Sequence, residues 1–160
     1  GESRLSARWL SMNGLPAGVI DFALIPDSFD LVRQRGIDLA ELEMGRARPD
    51  GVELRWKMGH PATLDLPFLI EDITPREWRV PAETNHRNDS KGISQLTIVV
   101  DDLAQSRKNY RRLLQQDGTK KEQTIHFLCG ETRLILTSAH TPAFQQHLMQ
   151  RGASPFDYTL

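Results

Sequence analysis

The 160 residues carry 20 Lys+Arg against 21 Asp+Glu, with 39% hydrophobic and 26% charged side chains, an ordinary globular composition whose balanced charge argues against nucleic acid as a partner. The single cysteine, Cys129, cannot close an internal disulfide, and no apolar run nears the roughly 18 residues that a membrane span requires. One domain, or two small units sharing a core, in a reducing cytoplasm and without a membrane partner is therefore expected, and Gly1-Glu2-Ser3-Arg4 lacks the parts of a secretory signal.

In chain order, an apolar segment closing on glycine, Leu10 to Gly14, precedes a short strand at Ile20 to Leu24. Asp27-Ser28 then reads as a helix cap, followed by an amphipathic helix that ends at Gly36. A weaker strand is expected at Glu41 to Met44. The tight-turn signature Arg48-Pro49-Asp50-Gly51 leads into Val52 to Met58, where Val52, Leu54, Trp56 and Met58 alternate with Glu53, Arg55 and Lys57. A strand at Leu66 to Ile70 and a polar, turn-rich linker from Arg79 to Gly92 complete this half.

The second half repeats the first. "ISQLTIVVDDLAQSRKNYRRLL", Ile93 to Leu114, again reads as strand, cap and helix, with Gln95 and Asp101 each 74 residues beyond Asp21 and Asp27. A weak strand at Gly118 to Glu122 and two firmer ones, Thr124 to Leu128 and Arg133 to Thr137, follow. The closing "FDYTL", Phe156 to Leu160, matches "IDFAL", Ile20 to Leu24, and each is preceded by an apolar segment ending in glycine, here "LMQRG". The expected organisation is thus an α+β protein of repeated β-α-β-β-β modules: 1–85 as the first with its leading helix, 86–140 as the second, and 141–160 as the leading helix and first strand of a further, truncated one. The chain reads as a fragment of a longer array, and a free first strand at Phe156 to Leu160 would favour homodimerisation or pairing with a missing module.

These paired units, the helix starts "PDSFD" and "VDDLAQS" and the run "RARPDGVELRWKM...LPFLIEDITPR" resemble the glyoxalase-like domains of the vicinal oxygen chelate superfamily. The resemblance covers about Arg8 to Ala139. It implies a curled, half-barrel mixed sheet with helices outside and a concave face that holds a metal or ligand. By strand alternation, Leu96, Ile98 and Val100 should then meet the helix while Gln95, Thr97 and Val99 face the cleft. In the first copy Ile20, Phe22 and Leu24 should meet the helix, with Asp21, Ala23 and Ile25 opposite. Leu54 and Trp56 are expected on the helix side, which would turn Glu53, Arg55 and Lys57 into the cleft.

Metal-binding members of that superfamily use a His or Gln on the first strand and a Glu on the last strand of each module. The first-strand positions fall on Asp21 and Gln95, which could ligate. The last-strand positions fall on Phe68 and Ile135, which cannot, and Glu71 should point away from Phe68. A divalent metal would therefore require donors from outside this chain.

Other candidates read more plainly. His60, His86, His126, His140 and His147 show no ligand spacing, and His126, on a strand, is the best exception to a structural role. Cys129, before a Gly130-Glu131 turn, reads as an inert thiol. Arg107, Lys108, Arg111 and Arg112 form the solvated side of a helix whose apolar side is Leu103, Tyr110, Leu113 and Leu114. Arg46 and Arg48, with Arg55, could clamp a carboxylate or phosphate. No phosphate-cradling loop or nucleophile elbow is present.

The expected function is small-molecule binding in a concave sheet, with Arg48, Arg55, Lys57, Phe68 and Thr97 as ligand-binding residues. The alternative is a divalent-metal-dependent lyase, isomerase or ring-cleaving dioxygenase, with Asp21 and Gln95 as metal ligands. A scaffold that has lost its ligands is the third reading. Fold alone does not decide among them.

Overall fold

The structure, a computed structural model, describes residues 14, 15, 17–80 and 86–160. The leading segment expected at Leu10 to Gly14 lies, Gly14 apart, outside them, as do residues 81–85 of the linker. The described residues form two compact units: one within Ala23–Ala62 and Pro67–Lys91, the other of Thr63–Leu66 and Gly92–Leu160 together with the described residues before Ala23. Among the described residues there are nine strands and four helices in two mixed sheets, and the α+β class expected from the sequence holds.

The first unit runs β1 (Ala23–Leu24), α1 (Phe29–Gln34), β2 (Leu39–Ala47), β3 (Glu53–Pro61), β4 (Phe68–Asp72) and α2 (Arg76–Arg79), with sheet order β1-β4-β3-β2. Ser28 caps α1 by accepting the Leu31 amide. Gly36, at φ +77, ends it, its amide bonding to the Arg33 carbonyl at 2.8 Å. Phe29 and Val32 of α1 are buried with Ile37, Leu54 and Leu69 of the same unit. A Cβ at Gly59 would lie 2.9 Å from the Phe29 ring and 3.3 Å from Leu39, so the aromatic edge sits directly on bare backbone.

That contact decides which face of β3 carries the helix. Gly59 shares its face with Arg55 and Lys57, so these residues lie on the helix side, and Leu54, Trp56, Met58 and His60 lie on the other. The expectation for this strand is thereby reversed. The physical reason is length: the six residues of α1 span about 9 Å, whereas the nine of β3 span about 30 Å. Beyond the helix the outer face meets water and is laced by cross-strand ion pairs. Arg55 pairs with Glu43, and Lys57 lies 3.9 Å from Glu41 and 3.7 Å from Glu71. Exposed pairs of this kind contribute about 0–1 kcal/mol. Arg55→Ala is accordingly expected to change unfolding free energy by no more than about 0.5 kcal/mol in a urea titration, and a loss several times larger would contradict this placement.

The second unit runs β5 (Gln95–Val100), α3 (Leu103–Leu114), β6 (Thr119–Lys121), β7 (Thr124–Cys129), β8 (Thr132–Ser138), α4 (Pro142–Arg151) and β9 (Ser154–Thr159), ordered β6-β7-β8-β5-β9. The repeat is literal at the level of register. Ala23 pairs in parallel with Phe68 in one unit and Thr97 with Ile135 in the other, and the caps Ser28 and Asp102 stand at the same offset as Asp21 and Gln95. Asp102 accepts the Ala104 and Gln105 amides at 2.9 Å. The α3 face carrying Tyr110 and Leu113 packs on Phe127, Leu134 and Leu136, all nearly inaccessible, with the Tyr110 and Phe127 rings 5.7 Å apart.

Two details depart from expectation. The strand β9 is not free: it pairs antiparallel with β5, Leu96 opposite Tyr158 and Val99 opposite Ser154, because β5 would otherwise leave one row of backbone groups unpaired. The loop Thr63–Leu66 belongs to the second unit, where Asn109 donates to both Asp65 carboxylate oxygens and the Tyr110 hydroxyl donates to the Asp65 carbonyl at 2.9 Å. That tie has no sequence signature. As expected, His140 precedes α4, whose cap is Thr141.

Candidate functional site

In the first unit the face away from α1 is built from alternate residues of its four strands. Phe68 stands opposite Ala23, Met58 opposite Ile70 and Leu42, and Trp56 opposite Asp72 and Met44. His60 and Phe68 approach with ring centroids 6.2 Å apart. At one end Arg79 grips Asp72 through two bonds of 2.7 and 2.9 Å and lies 5.8 Å over the Trp56 ring. The fork geometry fixes Asp72 and caps the indole. The result is a row of half-buried aromatic and thioether side chains bounded by one ion pair, with Leu42 still 47% exposed. Such a surface can take the flat apolar body of an organic molecule.

The corresponding face of the second unit, away from α3, is polar. Gln95 stands opposite Arg133, Thr97 opposite Ile135 and Asp157, and His126 opposite Ile135 and Thr119. Partial burial first, then the charges of Lys121 and Arg133, hold the His126 imidazole below its ordinary value of 6.5. Cys129 ends β7 at a two-residue turn with Gly130 at φ +59, and burial pushes its thiol up, so little thiolate forms. This agrees with an inert thiol.

The residues singled out from the sequence are distributed unevenly over these surfaces. Phe68 and Thr97 occupy them, with Gln95 beside Thr97. Arg55 and Lys57 are on the α1 side and engaged by Glu43, Glu41 and Glu71. Arg48 serves its own turn, bonded to Asp50 at 2.6 Å and to the Trp78 carbonyl, so Arg48 and Arg55 are each already met by a carboxylate. Asp21 lies two residues before β1 and accepts the Phe22 amide. Glu71 does point away from Phe68 and accepts the Phe29 amide at the start of α1, at 2.6 Å. The row Trp56, Met58, His60 and Ile70 was missed. Gly59, a glycine inside an apolar strand, was the available signal for close packing on the odd-numbered face.

The donor set does not fit a divalent ion. Among the described residues no three His, Cys, Asp or Glu side chains converge, and Phe68 and Ile135 place hydrocarbon at the two positions where the resemblance implies a carboxylate donor. No described helix is long and apolar enough to cross a membrane.

Comparison with known proteins agrees with this architecture. A crystal structure of a hypothetical protein from Staphylococcus aureus shares the fold, with a TM-score of 0.62 at 10% identity. The match covers 83% of this chain and 57% of that one, so the chain spans little more than half of its neighbour's length. No curated protein matches. The model of the glyoxalase-like domain family matches residues 4–114, well over half of the chain, and this protein belongs to that family.

Proposed function

We propose that the chain is a metal-independent binding module that holds a small organic molecule with an apolar, planar body on the Phe68 face of its first sheet. The observation that carries this reading is the pair of hydrocarbon side chains, Phe68 and Ile135, at matched register positions opposite Ala23 and Thr97. Metal-dependent members of the superfamily place a carboxylate there, as the resemblance implies. With that donor replaced by an aromatic ring beside His60, the chemistry left to this face is contact and stacking rather than polarisation of oxygens.

The test uses the aromatic probe 8-anilinonaphthalene-1-sulfonate, followed by its own fluorescence and by quenching of tryptophan, with Trp56 on the same face. Phe68→Ala is expected to weaken binding about tenfold, the scale of one lost aromatic contact of about 1.4 kcal/mol. Unchanged affinity would remove the Phe68 face from consideration. In parallel, thermal melts with Mn2+, Zn2+ and Ni2+ should show no stoichiometric stabilisation. A rise in Tm that saturates at one equivalent would overturn the metal-independent reading in favour of the metal-dependent lyase, isomerase or dioxygenase.

A further inference from the structure

The two sheets treat their charges differently. On the outer face of the first, every cation of the row is met by a carboxylate: Arg55 by Glu43, and Lys57 by Glu41 and Glu71. On the polar face of the second, Lys121 and Arg133 make no ion pair among the described residues. The acid that lines the recess beside them, Asp117, is held by Arg111 at 2.8 Å. Two cations left without a partner on one sheet face form a preset demand for an anion.

Strand register shows how they are arranged. His126 of β7 is flanked by Thr119 of β6 and Ile135 of β8. Lys121 lies two residues along β6 and Arg133 two residues along β8, so both share the His126 face on opposite diagonals, about 7–8 Å away by ordinary strand spacing. A recess of about 590 Å³ reaches Thr119, Lys121, His126, Leu128 and Arg133.

The hydrogen bonds also fix which nitrogen of the imidazole can respond. The Thr124 hydroxyl donates its single proton to the Lys121 carbonyl at 2.8 Å. Its oxygen must then accept from His126 Nε2, 2.9 Å away. The neutral ring thus carries its proton on Nε2 and leaves Nδ1 as a base, which becomes a donor once protonated.

We propose that this face of the second sheet is an oxyanion site, in which Lys121 and Arg133 hold a carboxylate or phosphate group of an organic ligand and His126 takes up a proton at Nδ1 as the anion binds. The charges acting on the ring are Lys121 from β6 and Arg133 from β8, both unfavourable to the imidazolium, while Thr124 on its own strand serves either form through Nε2–H. An anion between the two cations cancels their repulsion and adds an acceptor, so anion and proton bind cooperatively.

The experiment is a pH titration of the imidazole nitrogens by NMR on the 15N-labelled 160-residue chain, with His126 assigned through His126→Gln. Inorganic phosphate and malonate are the probes, against potassium chloride at matched ionic strength. Without anion, the Nε2–H tautomer and a pKa below 6.5 are expected. With saturating anion, the His126 pKa should rise by about one unit beyond the chloride control, a tenfold gain in proton affinity. Lys121→Met with Arg133→Met, both exposed and therefore compatible with folding, should raise the anion-free pKa and abolish the response. A response to phosphate alone or malonate alone supports the site and assigns the group. No response to either beyond chloride, or an equal response in the double variant, overturns it, and neither result depends on binding at the Phe68 face.

Discussion

Gly118→Ala is expected to destabilise the protein by about 2–5 kcal/mol, the sum of two separable costs. The residue stands at φ +67, where a side chain costs about 1–2 kcal/mol. Its new Cβ would also lie 2.7 Å from Phe127 Cζ and 2.8 Å from Ile125 Cγ2. Both neighbours are almost fully buried and Phe127 is backed by Tyr110, so neither can retreat, and overpacking of this kind costs about 1–3 kcal/mol more. Thermal melts should show Tm lower by about 5–15 °C. A change within about 0.5 kcal/mol would mean that the turn from α3 into β6 is not packed as described.

Phe29→Ala should remove about 3–5 kcal/mol, the usual cost of deleting a buried aromatic side chain. Phe29 is 1% exposed, and its ring lies where a Cβ of residue 59 would be. The same geometry predicts a specific non-additivity. Gly59→Ala alone should cost about 1–3 kcal/mol through the clash with the ring. Combined with Phe29→Leu, whose side chain is shorter, it should cost less than the two single changes together, with a coupling of at least about 0.5 kcal/mol. Strict additivity in urea denaturation would show that ring and glycine are not in contact, and the assignment of Arg55 and Lys57 to the helix side would fall with it.

That assignment marks where sequence reasoning stopped. Local signals were sufficient for the element order: a polar cap before each helix, Gly36 after the first, the Pro-Asp-Gly turn, and an internal repeat exact enough to match caps and parallel registers in both units. Strand ends shifted by a few residues, as with β2, which is longer than Glu41 to Met44, and β1, which is only Ala23–Leu24. In the second unit alternation also predicted the faces correctly, because α3 has 12 residues and covers its strands with one clearly apolar row. In the first unit the same rule failed on β3. Both of its rows are apolar somewhere, one through Gly59 under Phe29 and the other through Leu54, Trp56 and Met58.

The candidate sites divide in the same way. Phe68 and Thr97 could be placed from the repeat and the resemblance alone, since a position within a strand is a local property. The role of Arg48 could not, because its partners Asp50 and Trp78 meet it only once turn and α2 are folded together. Lys121 and Arg133 are separated by β7 and the two turns that flank it, and become neighbours of His126 only through the pairing of β6 and β8 with β7.

By itself, then, the sequence determined the α+β class and the duplicated module, which follow from spacing and capping along the chain, and the resemblance it carries marked the two positions, Phe68 and Ile135, where hydrocarbon stands in place of the implied metal donors. Tertiary structure alone decided which strand faces lie beneath helices, which arginines are already paired and which cations are left together. Alternation specifies that two faces exist, but the length of the covering helix and the register of neighbouring strands choose what each one meets.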